Sequence, residues 1–191
     1  MGLLRDNTVW REVNRLETDI PVSKSYTPVM AVSDIRAMLS GGHTLYVFDV
    51  TASHSVHAAG TVAVEEQFCF LACTRLKEKT LVAFAHCSSV SLHRLASSLP
   101  LRLEKLTSIG LTGPQQLLFR GDELLVVDWN GATHSHAIVS LPLHASGGAL
   151  SEQRVLLDER SLLSQRFWAL TSDQLIISDT RSSELSLFSF H

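Results

Sequence analysis

Charge is scarce in this sequence. Only 18% of its 191 residues are Asp, Glu, Lys or Arg, and 16 basic residues against 19 acidic ones leave a formal net charge of -3. That balance excludes a chain that is basic overall and grips nucleic-acid phosphates along its whole surface; only a local basic patch is left open. With 45% hydrophobic residues, the chain is globular rather than disordered and long enough to bury a sizeable core. The low charge fraction also fits a surface partly covered by another protein.

Long apolar runs are missing too. None reaches the roughly 20 residues of a membrane helix. "MGLLRDNTVWREVNRL" has no apolar stretch of the secretory type, and Asp6 stands where a myristoylation signal carries Ser or Thr. A cytoplasmic or nuclear location is expected. Cysteine is rare: Cys69, Cys73 and Cys87, an odd number, read as reduced thiols. Cys69 and Cys73 fall in the apolar run "CFLAC" and are expected to be buried. Catalytic signatures are absent as well: no G-x-S-x-G elbow, no H-E-x-x-H, no Walker loop and no G-x-G-x-x-G occurs.

What the sequence does have is a recurring unit. "TLYVFDVTASHSVHAAGTV", "TLVAFAHCSSVSLHRLASS", "ELLVVDWNGATHSHAIVSL" and "QLIISDTRSSELSLFSF" each lead from an apolar run through a polar turn into a second, alternating run. This is the pattern of a β-hairpin. Leu45, Leu81, Leu124 and Leu175 mark the copies at intervals of 36, 43 and 51 residues. A further strand precedes three of them, in "QFCFLACTR", "PQQLLFR" and "SQRFWALT". Strand–turn–strand–turn–strand meanders at such a period are those of propeller blades, whose sheets bury both faces. The expected fold is therefore all-β: a β-propeller-like array of about four antiparallel blades over residues 26–191, as a partial or small propeller. Residues 33–43 fit either a short helix or a strand of that register. Residues 1–25 stand apart; Val9, Val13, Leu16 and Ile20 recur at helical spacing, so a short N-terminal helix or docking arm is expected there.

Asp49, Asp128 and Asp179 close the apolar runs of three copies. A carboxylate there accepts hydrogen bonds from turn N–H groups, so all three read as structural. "SHSVH" and "THSH" invite a metal-site reading, but repeat kinship explains the histidines more simply. No catalytic residue, cofactor or metal ligand is assigned.

Over residues 30–190 this repeat grammar resembles the WD-repeat and related β-propeller families. The Gly-His and Trp-Asp dipeptides of strict WD repeats are absent, and Asp128-Trp129 is the reverse order. The last three copies are also similar to the early blades of the non-catalytic WD-repeat subunit of tRNA guanine-N7 methyltransferase. That resemblance implies a subunit without an active site, which stabilises a separate methyltransferase chain and helps to position tRNA. No motif of that family is matched, so no residue role is carried over.

The leading expectation is thus a non-enzymatic propeller-type scaffold that binds another protein subunit. Trp10, Trp129, Asn130, His134 and His136 are the candidate contacts. An RNA-associated accessory subunit is the alternative, with Arg75, Lys77, Lys79, Arg94, Arg102 and Lys105 as candidate phosphate contacts. A small enzyme with its site on blade-rim loops is the second alternative. No membrane or small-molecule ligand is called for.

Overall fold

The computed structural model describes residues 30–32, 36–41, 43–51, 56–96, 98–133, 135–143, 153–159, 166–170, 174–179 and 184–189. The helix or arm expected over residues 1–25 lies outside them.

The described residues form strands and turns only, and the strands fall into four successive sheets. The first holds β1 (Met30–Val32), β2 (Arg36–Gly41), β3 (Thr44–Val50) and β4 (Val56–Ala63). The second holds β5 (Phe70–Leu76), β6 (Lys79–Ala85), β7 (Ser89–Leu95) and β8 (Leu103–Gly110). The third holds β9 (Pro114–Arg120), β10 (Glu123–Asn130), β11 (Ser135–Pro142) and β12 (Arg154–Glu159). The fourth holds β13 (Arg166–Leu170), β14 (Gln174–Asp179) and β15 (Glu184–Ser189). Each sheet is an antiparallel meander whose neighbours in sequence are neighbours in space. The first strands of consecutive sheets adjoin, β1 against β5 and β5 against β9, as in a propeller. Among the described residues the sheets do not close into a ring. Residues 36–41 are strand, so the helical reading of 33–43 gives way there to the propeller register.

Burial follows the two-residue period of a pleated strand. In β6, Val82 and Phe84 enter a core shared with the first sheet, beside Met38, Leu45, Val47 and Val62. Leu81, Ala83 and Ala85 point the other way, into a core shared with the third sheet, beside Leu117, Leu124, Val126 and Val139. The strand is buried on both faces, which is why it reads as an unbroken apolar run. In β10, Leu125 and Val127 are also buried, on the face turned away from the second sheet. By contrast β4 and β8, the last strands of their sheets, are mostly half-buried or exposed.

The blade register corrects one feature of the repeat. The second, third and fourth hairpins are β6–β7, β10–β11 and β14–β15, the second and third strands of their sheets. The first is β3–β4, the third and fourth. A matching irregularity marks the last pair of each four-stranded sheet, between Val47 and Phe48, Leu92 and His93, and Ile138 and Val139. Asp49 on β3 is therefore not equivalent to Asp128 on β10 or Asp179 on β14. This one-strand offset is why the first interval, 36 residues, is the shortest. A meander looks alike from strand to strand, so a hairpin pattern cannot say which pair it is.

Asp128 also does a different task from setting its own turn. Its carboxylate accepts hydrogen bonds from the backbone N–H of Thr112 (3.1 Å) and Gly113 (2.7 Å), on the segment entering the third sheet. Trp129 N–H donates to Gly113 C=O at 2.9 Å, closing the same clasp. A Cβ on Gly113 would lie 2.8 Å from Trp129 O, so only glycine allows this approach. The turn itself is set by Asn130, whose Oδ1 accepts from the N–H of Ala132 and Thr133 at 3.0 and 3.3 Å.

Two stability outcomes are expected in urea titrations of the purified chain. Phe84→Ala empties the shared core and should cost about 3–5 kcal/mol. Asp128→Ala removes the charged acceptor of two backbone N–H groups and should cost about 1–3 kcal/mol.

Candidate functional site

One face of the second sheet changes character from its inner to its outer strands. Residues 82, 84 and 86 share that face through the alternation of β6, and 91 and 93 share it through β7. The cross-strand partners Phe84–Ser91, Val82–His93 and His93–Lys105 carry it to β8. Val82 and Phe84 are core; Ser91, His93, His86 and Lys105 are polar. Where this face meets the segment following β4, a cleft of about 250 Å3 opens. Its walls include Glu66, Phe84, His86, His93, Leu103 and Lys105.

The polar groups form one connected chain. His86 Nδ1 lies 2.8 Å from Gln67 C=O, which can only accept, so Nδ1 carries the proton. His86 Nε2 in the neutral ring is then an acceptor, and Ser91 Oγ–H donates to it at 2.8 Å. Ser91 Oγ in turn accepts from His93 Nε2–H at 2.9 Å. Ser91 is 1% exposed, so it fixes the two rings from behind rather than meeting a ligand. Glu66 stands at the mouth, 3.7 Å from His86 Nε2 and 3.1 Å from Lys105 Nζ.

Electrostatics sorts these groups. Burial, reinforced by the charges of Lys105 and His86 and opposed by Glu66, pushes His93 down to about 4. It is therefore neutral at physiological pH and keeps its place in the hydrogen-bond chain. Phe84 supports it edge-on, with ring centroids 5.0 Å apart. The Lys105 hydrogen bond and charge hold the Glu66 carboxyl below the usual carboxylate range.

The residues singled out from the sequence are distributed differently. Trp10 and His134 lie outside the described residues. Trp129 and His136 are cross-strand partners with ring centroids 4.5 Å apart. His136 is buried, with Nε2 3.2 Å from Gln115 Oε1, and Asn130 is occupied with its turn. Arg75, Lys77, Lys79, Arg94 and Arg102 gather at one end of the second sheet, Lys77 with φ +53° at the β5–β6 turn. Arg75 is paired with Glu78 at 2.7 Å, Arg94 with Glu104, and Lys105 with Glu66. Carboxylates thus dilute the charge that phosphates would need. Among the described residues, no three His, Cys, Asp or Glu side chains converge as a metal-binding set, and no helix is long and apolar enough to cross a membrane.

His86, Ser91 and His93 escaped the sequence reading. Their signal was a polar residue at every second place of β7, facing the end of an apolar strand. The hairpin pattern alone made His86 look like an absent aspartate.

No protein-family model matches the chain, and no curated protein matches it. A solved structure from Bacteroides fragilis, whose proposed activity is that of a 6-phosphogluconolactonase, is similar at a TM-score of 0.44 and 9% identity. The likeness covers 85% of this chain and 65% of that one, so this chain spans less than two thirds of its length. It transfers no residue and no substrate. The expectation of a non-enzymatic scaffold is not kept, since that similar structure bears an enzyme's name. The RNA-associated alternative drew on the basic cluster as well as on a WD-repeat likeness, and no family model matches in support of the latter.

The low value at His93 fixes a pH dependence. Its folded value lies below the ordinary 6.5, so the unfolded chain binds more protons between about pH 6.5 and 4. Stability should be complete above that window and fall as pH drops through it. Urea midpoints measured across the window should flatten in His93→Gln, which cannot titrate there.

Proposed function

We propose that the chain is an enzyme acting on a small anionic molecule in the cleft between the first and second sheets, with His86 as general base. The observation that carries this reading is the fixed proton order from Gln67 C=O through His86 and Ser91 to His93. It holds an imidazole Nε2 as a proton acceptor at the edge of a cleft that also contains a cation.

Hydrolysis of an acyl ester is the reaction class these parts serve. A water that takes the place of Ser91 at His86 Nε2 gives up its proton there as it attacks the acyl carbon; the tetrahedral intermediate then collapses, the ester C–O bond breaks, and the leaving alkoxide takes the proton back from His86 and departs as an alcohol. The imidazolium that forms faces Glu66, 3.7 Å away. Lys105 can exchange Glu66 for the substrate's anionic group, or for the oxyanion developing on the carbonyl. Gln67 and Ser91 are positioning residues, since they touch His86 and not the reacting atoms. The cleft volume suits a small metabolite rather than a polymer.

The test is hydrolysis of a p-nitrophenyl ester of a dicarboxylic acid by the purified chain. His86→Gln should lower kcat by about 10²-fold or more. Lys105→Met should raise KM for this anionic ester while leaving that for neutral p-nitrophenyl acetate nearly unchanged. A rate no higher than buffer, or an unchanged rate in a folded His86→Gln chain, overturns the proposal.

A further inference from the structure

Cys69 and Cys87 differ from Cys73 in a way their sequence context conceals. Cys73 is buried in the core shared by the first two sheets, whereas Cys69 and Cys87 are both exposed. The expectation that Cys69 is buried along with Cys73 is therefore corrected; Cys69 precedes β5 and its side chain reaches the surface. The Cys69 N–H bonds to Ala85 C=O at 2.7 Å, carrying the β5–β6 ladder one residue past the Phe70–Ala85 pair. That register sets Cys69 across from the start of the bend connecting β6 to β7. Cys87 lies in this bend, which is held by a 2.8 Å hydrogen bond from His86 N–H to Ser89 C=O. This register brings together two exposed thiols that lie 18 residues apart in sequence.

We propose that Cys69 and Cys87 are a dithiol pair that closes reversibly to a disulfide, a modification site separate from the cleft chemistry. Both sulfurs are reachable by a small oxidant, and the end of the β5–β6 ladder sets the two residues beside one another. Burial and the neighbouring Cys87 hold the Cys69 thiol above its ordinary value, so Cys69 keeps its proton. Cys87 is then the attacking sulfur. Its thiolate attacks one sulfur of a low-molecular-weight disulfide, forming a mixed disulfide and expelling one thiolate, which takes up a proton. Cys69, on losing its proton, attacks the Cys87 sulfur and expels the second small thiol. Two protein thiols are oxidised, and one small disulfide is reduced to two thiols.

The closed bond would tie the bend that carries His86 to the start of β5. Oxidised glutathione is the probe, with the native full chain. The expected product is the chain less two hydrogens, with tandem mass spectrometry placing the link between Cys69 and Cys87 and leaving Cys73 free. Dithiothreitol should restore both thiols. In Cys69→Ser the second step has no resolving thiol, so glutathione should remain on Cys87 as a stable adduct. Separate glutathione adducts persisting on both cysteines of the native chain, or a disulfide joining two chains, overturns the proposal. Neither result depends on whether the cleft hydrolyses esters.

Discussion

The structure depends on one constraint: a meander sheet with apolar side chains on both faces cannot stand in water alone. β6 states it most plainly. Val82 and Phe84 need the first sheet, while Leu81, Ala83 and Ala85 need the third. A buried Val, Leu or Phe side chain contributes about 1.5–3 kcal/mol only when its partner sheet is in place. Neighbouring sheets are therefore thermodynamically linked, and stability accumulates along the array through its interfaces. The small side chains at 83 and 85 face the third sheet, and the large Phe84 faces the first, so the two interfaces are filled differently.

The same constraint positions the candidate site. Packing on both faces is tight along the middle strands and relaxes towards the outer ones, where solvent reaches between adjoining sheets. The face that begins with Val82 and Phe84 ends with His93 and Lys105, so the apolar core becomes the floor of a cleft. Its desolvating effect reaches His93, which stays neutral, while Glu66 and Lys105 pair at the exposed mouth. The chemistry is thus a product of where the sheets stop touching. It needs no motif of consecutive residues, because β6 and β7 deliver its parts by alternation.

That is also why the fold was more legible than the site. Runs such as "LVAFA" and "ELLVV" announce strands buried on both faces, and the recurring hairpins announce a meander. The pattern lacked a marker of strand rank, and so the first copy was matched to the wrong pair and Asp49 to the wrong aspartates. Asp128 was recognisable as structural, but its partners at Thr112 and Gly113 lie 16 and 15 residues away, beyond a local turn rule. His86, Ser91 and His93 come together through registry between strands. Cys69 looked buried because its neighbours are apolar, yet it stands just before the strand begins.

The clasp of Asp128 and Gly113 has a mechanical meaning. The carboxylate grips the chain as it passes from the second sheet to the third, and it does so through backbone donors alone. The crossing segment is consequently a rigid strut rather than a tether. Rotation of one sheet against the next is resisted at the crossing as well as across the core. The segment is fixed at its other end too, where Leu111 N–H bonds to Ser88 C=O of the second sheet at 2.9 Å.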